Sequence, residues 1–284
     1  MSDVSPALRQ RELGLRLRKE RTDREMTVEE VAGKLLWSPE KIHRIETAAR
    51  RATPRDVRDL CALYGVAGAL ADELMQLAGG PTEQGWWTQY EDLNLARFIE
   101  LEQQASSIIQ YTMHYVPALL QTEEYAHAII KAVLPGIDPK IHANRVEARL
   151  RRQRVLGSEY SPRFNALIDE GVLRRQLGGA AVMARQLDKI LELARKGKAA
   201  VEVIPFGAGV YPVSDSNFVF LEFGEFVMQP LVYVEGYASS HYYERAADVA
   251  LYREAIQHLR GVALNPRDSL FLMEEIRTAY AKNQ

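Results

Sequence analysis

A single cysteine, Cys61, in 284 residues excludes a disulfide framework and a structural zinc site built on several thiolates. Long apolar runs are missing too. None approaches the ~18 residues that a membrane-spanning helix needs, so no membrane partner is expected. The first 25 residues carry charges every few positions and no apolar stretch of the kind a secretory signal requires, which predicts a cytoplasmic setting. Net charge is only −2, so the chain is no wholesale polycation and any polyanion contact must come from a local patch. Catalytic patterns are absent as well. The six histidines (His43, His114, His127, His142, His241 and His258) include no His-x-x-x-His or His-Glu-x-x-His spacing, and no Gly-x-Ser-x-Gly pentapeptide occurs. Gly207-Ala208-Gly209 lacks the third glycine and the strand-to-helix context of a dinucleotide loop. No catalytic residue, metal or cofactor is expected, and the chain is not expected to be an enzyme.

What is present is an ordinary balance, 47 % apolar and 26 % charged, on a chain long enough for one large domain or two of common size. Charge is unevenly placed. Residues 1–58 hold 14 Lys and Arg against 10 Asp and Glu, a surplus of +4 that leaves −6 for the rest. A basic N-terminal segment on an acidic body points to a nucleic-acid module joined to something else.

Helix signals crowd the first 80 residues. Leu8, Leu13 and Leu17 sit near helical spacing and predict a helix over about 6–21. Thr27 with Glu30 forms a capping box for a second helix, whose apolar stripe is Val28, Val31, Ala32 and Leu35. Ser38-Pro39 and Thr53-Pro54 each offer an N-cap followed by proline at the first helical position, where its missing N–H costs nothing. Val57, Leu60, Cys61 and Tyr64 then follow at i, i+3, i+4 and i+7, which makes Cys61 a core residue. A fifth helix is predicted around 69–77. Gly79-Gly80-Pro81 stops the series, setting domains of 1–80 and 81–284. Beyond it, helices are predicted over about 90–106, 122–134, 139–156, 180–196, 240–260 and 266–282. Strands are predicted over 107–115, 163–169, 200–205, 217–223 and 231–235. The fold class is therefore an all-α N-terminal five-helix helix-turn-helix domain plus an α+β C-terminal domain with a small mixed sheet.

Residues 27–32, a turn at 35–37 and residues 38–47 have helix-turn-helix spacing. At 100° per residue, Ile42 and Ile45 point together into the bundle, which leaves Glu40, His43, Arg44 and Thr47 on the opposite side. Lys41 lies at the side. A polar face at a positive helix N-terminus suits the major groove. Arg44 has the geometry for guanine O6 and N7, Lys41 for phosphate or guanine, and Arg50 and Arg51 for the flanking backbone. The candidate DNA-contacting residues are Thr27, Ser38, Glu40, Lys41, His43, Arg44, Thr47, Arg50 and Arg51. The competing reading is a solvated face on a small bundle. Arg145, Arg149, Arg151, Arg152 and Arg154 form a second basic stripe, read either as a further DNA contact or as a solvated face.

Leu17-Arg18-x-x-Arg21, Met26-Thr27-x-Glu29-Glu30-Val31-Ala32 and Trp37-Ser38-Pro39-x-Lys41-Ile42-x-Arg44-Ile45-Glu46-Thr47 resemble the Xre/Cro family of repressor-type DNA-binding domains, over about residues 8–70. The resemblance implies an internal ion pair between Arg21 and Glu46. Leu36 and Ala48 depart from it, standing where that family usually has glycine. Further markers are Gly85-Trp86-Trp87, Val116-Pro117-Ala118-Leu119-Leu120-Gln121-Thr122-Glu123-x-Tyr125-Ala126 and Asp169-Glu170-x-Val172-Leu173-Arg174-Arg175. With Phe218-x-x-Leu221-Glu222-Phe223 and Val232-Tyr233-Val234-Glu235-Gly236, they resemble the C-terminal domain of actinobacterial regulators of the WhiJ-like or Scr1 type, over about 85–280. That likeness implies an antitoxin-like domain and, as partner, a small protein encoded by an adjacent gene.

The expected function is a sequence-specific transcriptional regulator that binds double-stranded DNA at a pseudo-palindromic operator as a homodimer. Its C-terminal domain is expected to bind the small partner protein or, as runner-up, a small-molecule ligand. The alternative is an antitoxin that neutralises a small toxin and represses its own operon. Strand ends and helix starts converge at one rim in a domain of this kind. That predicts a partner- or ligand-binding cleft lined by Leu120, Gln121, Tyr125, Glu170, Arg174 and Glu235.

Overall fold

Capping residues set where the first helices begin. In the computed structural model, which describes residues 6–79, 86–90, 95–157, 161–213, 215–224, 228–236 and 239–282, α1 (Pro6–Thr22), α2 (Val28–Leu35), α3 (Pro39–Glu46), α4 (Pro54–Tyr64) and α5 (Ala69–Gly79) follow one another. Thr27 and Thr53 each complete a capping box, with Glu30 and Asp56, and the Ser38 hydroxyl accepts from the Lys41 N–H. The helices enclose Leu13, Leu17, Val31, Ile42, Ile45, Val57, Leu60 and Leu74, all at or below 2 % exposure. Each such side chain contributes about 1.5–3 kcal/mol by leaving water. Cys61 is buried among them. Helix α1 reaches α3 through Gly14, where an added Cβ would lie 2.6 Å from the Ile45 carbonyl oxygen and 2.7 Å from that of Glu46. No side chain fits there, so glycine sets the distance between the two helices.

The chain divides into two units, Met1–Trp86 with Phe223–Gln229 and Trp87–Glu222 with Pro230–Gln284. The second is built on a six-stranded sheet of order β3-β2-β1-β4-β5-β6. Strands β1 (Ser107–Thr112), β2 (Arg163–Asp169) and β3 (Ala200–Ile204) run parallel, and β4 (Phe218–Glu222), β5 (Leu231–Glu235) and β6 (Ser240–Tyr243) add antiparallel pairings. The helices of this unit are α6 (Ala96–Glu102), α7 (Glu123–Val133), α8 (Pro139–Arg152), α9 (Glu170–Arg174), α10 (Ala180–Arg195), α11 (Ala246–Val262) and α12 (Pro266–Lys282). Alternation places Ile109, Tyr111, Leu167, Ile204, Phe218, Phe220 and Val232 on one face, packed with Val249, Ile256 and Leu259 of α11. Phe164, Ala166, Ile168, Val201, Val203 and Leu221 are buried on the other. The open edge of β3 is closed by the start of α12. The Val203 N–H donates to Ser269 Oγ at 3.0 Å, and the Leu264 N–H donates to the Val203 carbonyl at 2.8 Å.

Three expectations change. The sheet is larger than the small one predicted, because Ser240–Tyr243, read as the start of a helix, is a sixth strand and α11 begins only at Ala246. Tyr242 and Tyr243 favour a pleated surface, and their apolar character at a helix start hid it. The helix predicted over 90–106 is limited to α6, residues 91–94 lying outside the described residues. The predicted strand over 107–115 ends at Thr112. The expected boundary at 79–81 falls partly on residues outside those described.

Candidate nucleic-acid interface

The outward face of α3 is held by what lies beneath it. Ile42 and Ile45 anchor the helix in the core, and Glu46, itself buried, receives a two-point fork from Arg21. Arg21 Nε lies 2.7 Å from Glu46 Oε1 and Nη2 2.9 Å from Oε2, while Nη1 donates to the Met26 carbonyl at 2.7 Å. This is the ion pair the family resemblance implies. It ties the end of α1 to the end of α3 and to the turn before α2.

Glu40, His43, Arg44 and Thr47 are exposed on the opposite side, with Thr27, Ser38, Arg50 and Arg51 exposed around them. The side chains of Arg44 and Arg50 have no ion-pair or hydrogen-bond partner among the described residues. Three hydroxyls of the set hold helix ends. Thr27 accepts from the Glu30 N–H, Ser38 accepts from the Lys41 N–H, and Thr47 donates to the His43 carbonyl at 2.8 Å. Lys41 is placed differently from the sequence expectation. Its ammonium lies 2.6 Å from Asp56 Oδ1 and 3.2 Å from the centroid of the Trp37 ring. One turn into α3, the ammonium pins that helix to the start of α4. Burial pushes the Asp56 carboxyl up, but the Lys41 ammonium and the Thr53 hydrogen bonds outweigh it and hold the carboxyl below its ordinary range.

The two positions that lack the family's glycine still adopt glycine's conformation. Leu36 has φ 55° and Ala48 has φ 56°, on either side of α3. Leu36 is 93 % exposed, so its side chain contributes nothing to the core. Gly14 and the Lys41–Asp56 pin were missed in the sequence. A glycine inside an otherwise good helix was the available signal for the first; nothing in the spacing signalled the second.

Of the residues expected to line a C-terminal cleft, Gln121 and Tyr125 meet at Val116 beside Leu120, Glu170 and Arg174 pair at the end of β2, and Glu235 ends β5. Leu120, Gln121 and Tyr125 are buried and spend their polar atoms internally. Gln121 Nε2 donates to the Val116 carbonyl at 2.7 Å and Tyr125 Oη accepts from the Val116 N–H at 3.1 Å. Glu170 is buried at the β2–α9 corner, where Arg174 Nε lies 2.5 Å from Oε1 and the Phe206 N–H donates to Oε2 at 2.8 Å. Glu235 ends β5, on the same sheet edge but three strand spacings away, about 14 Å.

Two arginines of the second basic stripe, Arg149 and Arg152, turn inward, while Arg154 is exposed. Arg152 forks onto buried Glu102 at 2.8 and 2.6 Å, and Arg149 Nη1 donates to Gln121 Oε1 at 2.8 Å. Burial, with Arg152 nearby, lowers the Arg149 guanidinium to about 10. Neither arginine is available to DNA. Among the described residues, no group of three or more His, Cys, Asp or Glu is arranged to hold a metal, and no helix is long and apolar enough to cross a membrane.

A helix-turn-helix with a rigidly seated second helix and an exposed polar face defines a DNA-binding regulator, and residues 12–74 match the family described as a helix-turn-helix domain. Residues 95–275 match the family described as a domain of unknown function, DUF5753. That match covers more than half of the chain, and the chain belongs to this family. No curated protein and no solved structure matches it.

Proposed function

We propose that the protein is a sequence-specific transcriptional regulator of the Xre type that works in the cytoplasm without catalysis. The observation that carries this reading is Arg44, exposed and without a partner on the outward face of a helix whose inner face is locked by Ile42, Ile45 and the Arg21–Glu46 fork. Arg44 is offered to guanine in the major groove, Glu40, His43 and Thr47 to neighbouring base edges, and Arg50 and Arg51 to phosphates. One module of this size covers too little DNA for operator-level affinity. The protein therefore acts as a homodimer on a pseudo-palindrome, with the dimer contacts in the C-terminal unit. That unit, antitoxin-like by its WhiJ-like or Scr1-type resemblance, binds the small protein of an adjacent gene or a small molecule, and this changes operator affinity. The antitoxin alternative keeps the same DNA module and predicts growth arrest when the adjacent gene is expressed alone.

Footprinting on the protein's own promoter region, with and without the adjacent gene product, identifies the operator. On that operator Arg44→Ala costs about 1–3 kcal/mol and relaxes specificity at one base pair. Arg50→Ala weakens all sequences alike and makes the salt dependence shallower. Operator affinity within twofold of wild type for Arg44→Ala overturns the assignment of α3 as the reading helix.

A further inference from the structure

The face of the sheet that carries Ile109, Tyr111 and Leu167 is filled by α11 along most of its length, but not at the end where β1 and β2 begin. There Arg163, Ser107 and Glu222 stand side by side, in register across β2, β1 and β4. The next row brings Asn165 beside Ile109 and Ala200. Small and polar side chains replace the aromatics found further along, and a cavity of about 630 Å³ results. That volume lies within the range of small-molecule sites.

The charges around this cavity do not balance. Arg163 comes from the start of β2, Lys198 from the turn between α10 and β3, and Arg260 from the last turns of α11. Arg163 and Lys198 have no ion-pair or side-chain hydrogen-bond partner among the described residues. Arg260 has a carboxylate oxygen of Glu202 at 3.9 Å, at the limit of an ion pair. Glu222 is the acid in the lining, and its carboxylate already accepts from Arg253 Nη1 at 3.0 Å. Two unpartnered cations, Arg163 and Lys198, and a third loosely shared with Glu202 thus face one space whose lining carboxylate is neutralised from outside it. Their mutual repulsion is relieved by an anion placed between them.

We propose that this cavity binds a small organic anion carrying a phosphate or several carboxylates. Arg163, Lys198 and Arg260 hold the anionic group, Ser107 and Asn165 supply hydrogen bonds on the floor, and Ile109 with Pro162 receives the less polar body of the ligand. The site lies at the opposite edge of the parallel strands from the cleft expected in the sequence. It deepens the reading of the C-terminal unit as the regulatory one and rests on that reading only for its consequence, a ligand-dependent operator affinity. Binding itself is measured without DNA, so failure of the site and failure of the regulatory reading are distinguishable.

The test is calorimetry on the full chain with ADP, citrate and inorganic phosphate as probes, against wild type and Arg163→Ala/Lys198→Ala. ADP tighter than citrate assigns a phosphate ligand, and the reverse a polycarboxylate. The expected result is a dissociation constant below about 1 mM for ADP or citrate, weakened about tenfold or more in the double variant. Arg260→Gln is the second variant if the double one does not fold, with the same weakening expected. If both organic probes bind more weakly than about 1 mM, or bind the variant as they bind wild type, the proposal is overturned.

Discussion

Leu36 and Ala48 hold the left-handed backbone that glycine adopts without strain, and each stores part of the roughly 1–2 kcal/mol that a side chain costs there. Glycine returns about 0.5–1 kcal/mol of that through its greater freedom in the unfolded chain. Because Leu36 buries nothing, Leu36→Gly is expected to raise stability by up to about 1 kcal/mol, a few degrees in the melting temperature of the N-terminal unit by calorimetry. Asp56 gives a pH dependence with a definite sign. Its carboxyl is held below its ordinary value, so the charged form stabilises the folded state above about pH 4, and that contribution is lost as pH falls further. Asp56→Asn is expected to lower the urea midpoint at pH 7. The gap from wild type should then narrow steadily between about pH 4 and pH 2. A constant gap across that range would mean that the Lys41 contact does not govern the titration.

Gly14 makes the same kind of argument for a pair of helices. A methyl group there meets two backbone carbonyl oxygens, which cannot rotate away, so Gly14→Ala must push α1 and α3 apart. The expected cost is about 1–3 kcal/mol in urea unfolding, with a loss of operator affinity although no DNA-facing residue changes. Helices such as α2, α3 and α4 were legible because their start signals are local: a hydroxyl cap, a proline at the first position, an acid three residues on. The apolar face of α3 and its outward residues followed from the helical period alone. The Lys41–Asp56 contact was not legible because the two residues lie 15 positions apart and no period links them. The separation of Glu170 from Glu235 was hidden for a related reason. Chain position gave the strand ends that share a rim, but not their order in the sheet, and order decides whether Glu170 and Glu235 are neighbours. Strand β6 was hidden because Tyr242 and Tyr243 also suit the buried side of a helix start.

At the scale of the whole protein, the homodimer proposed above fixes a length on DNA. The two α3 helices should meet half-sites about 34–36 Å apart or a multiple of that, one turn of the duplex. Insertion of five base pairs at the centre of the operator should abolish binding, and ten should partly restore it. Sedimentation showing a monomer at micromolar concentration, both free and on DNA, would contradict this arrangement. The closure of β3 by Leu264 and Ser269 has a bearing on how the molecule is handled as material. Residues 264–282 are a seal: without them the N–H and C=O of Val203 stand open on a strand of Ala-Val-Glu-Val-Ile, the kind of edge on which a second chain adds itself. Shortening the protein from its C-terminus therefore trades a folded edge for an adhesive one, and a fragment meant to be a minimal regulatory domain would precipitate from dilute solution while a chain ending at 282 stays dispersed.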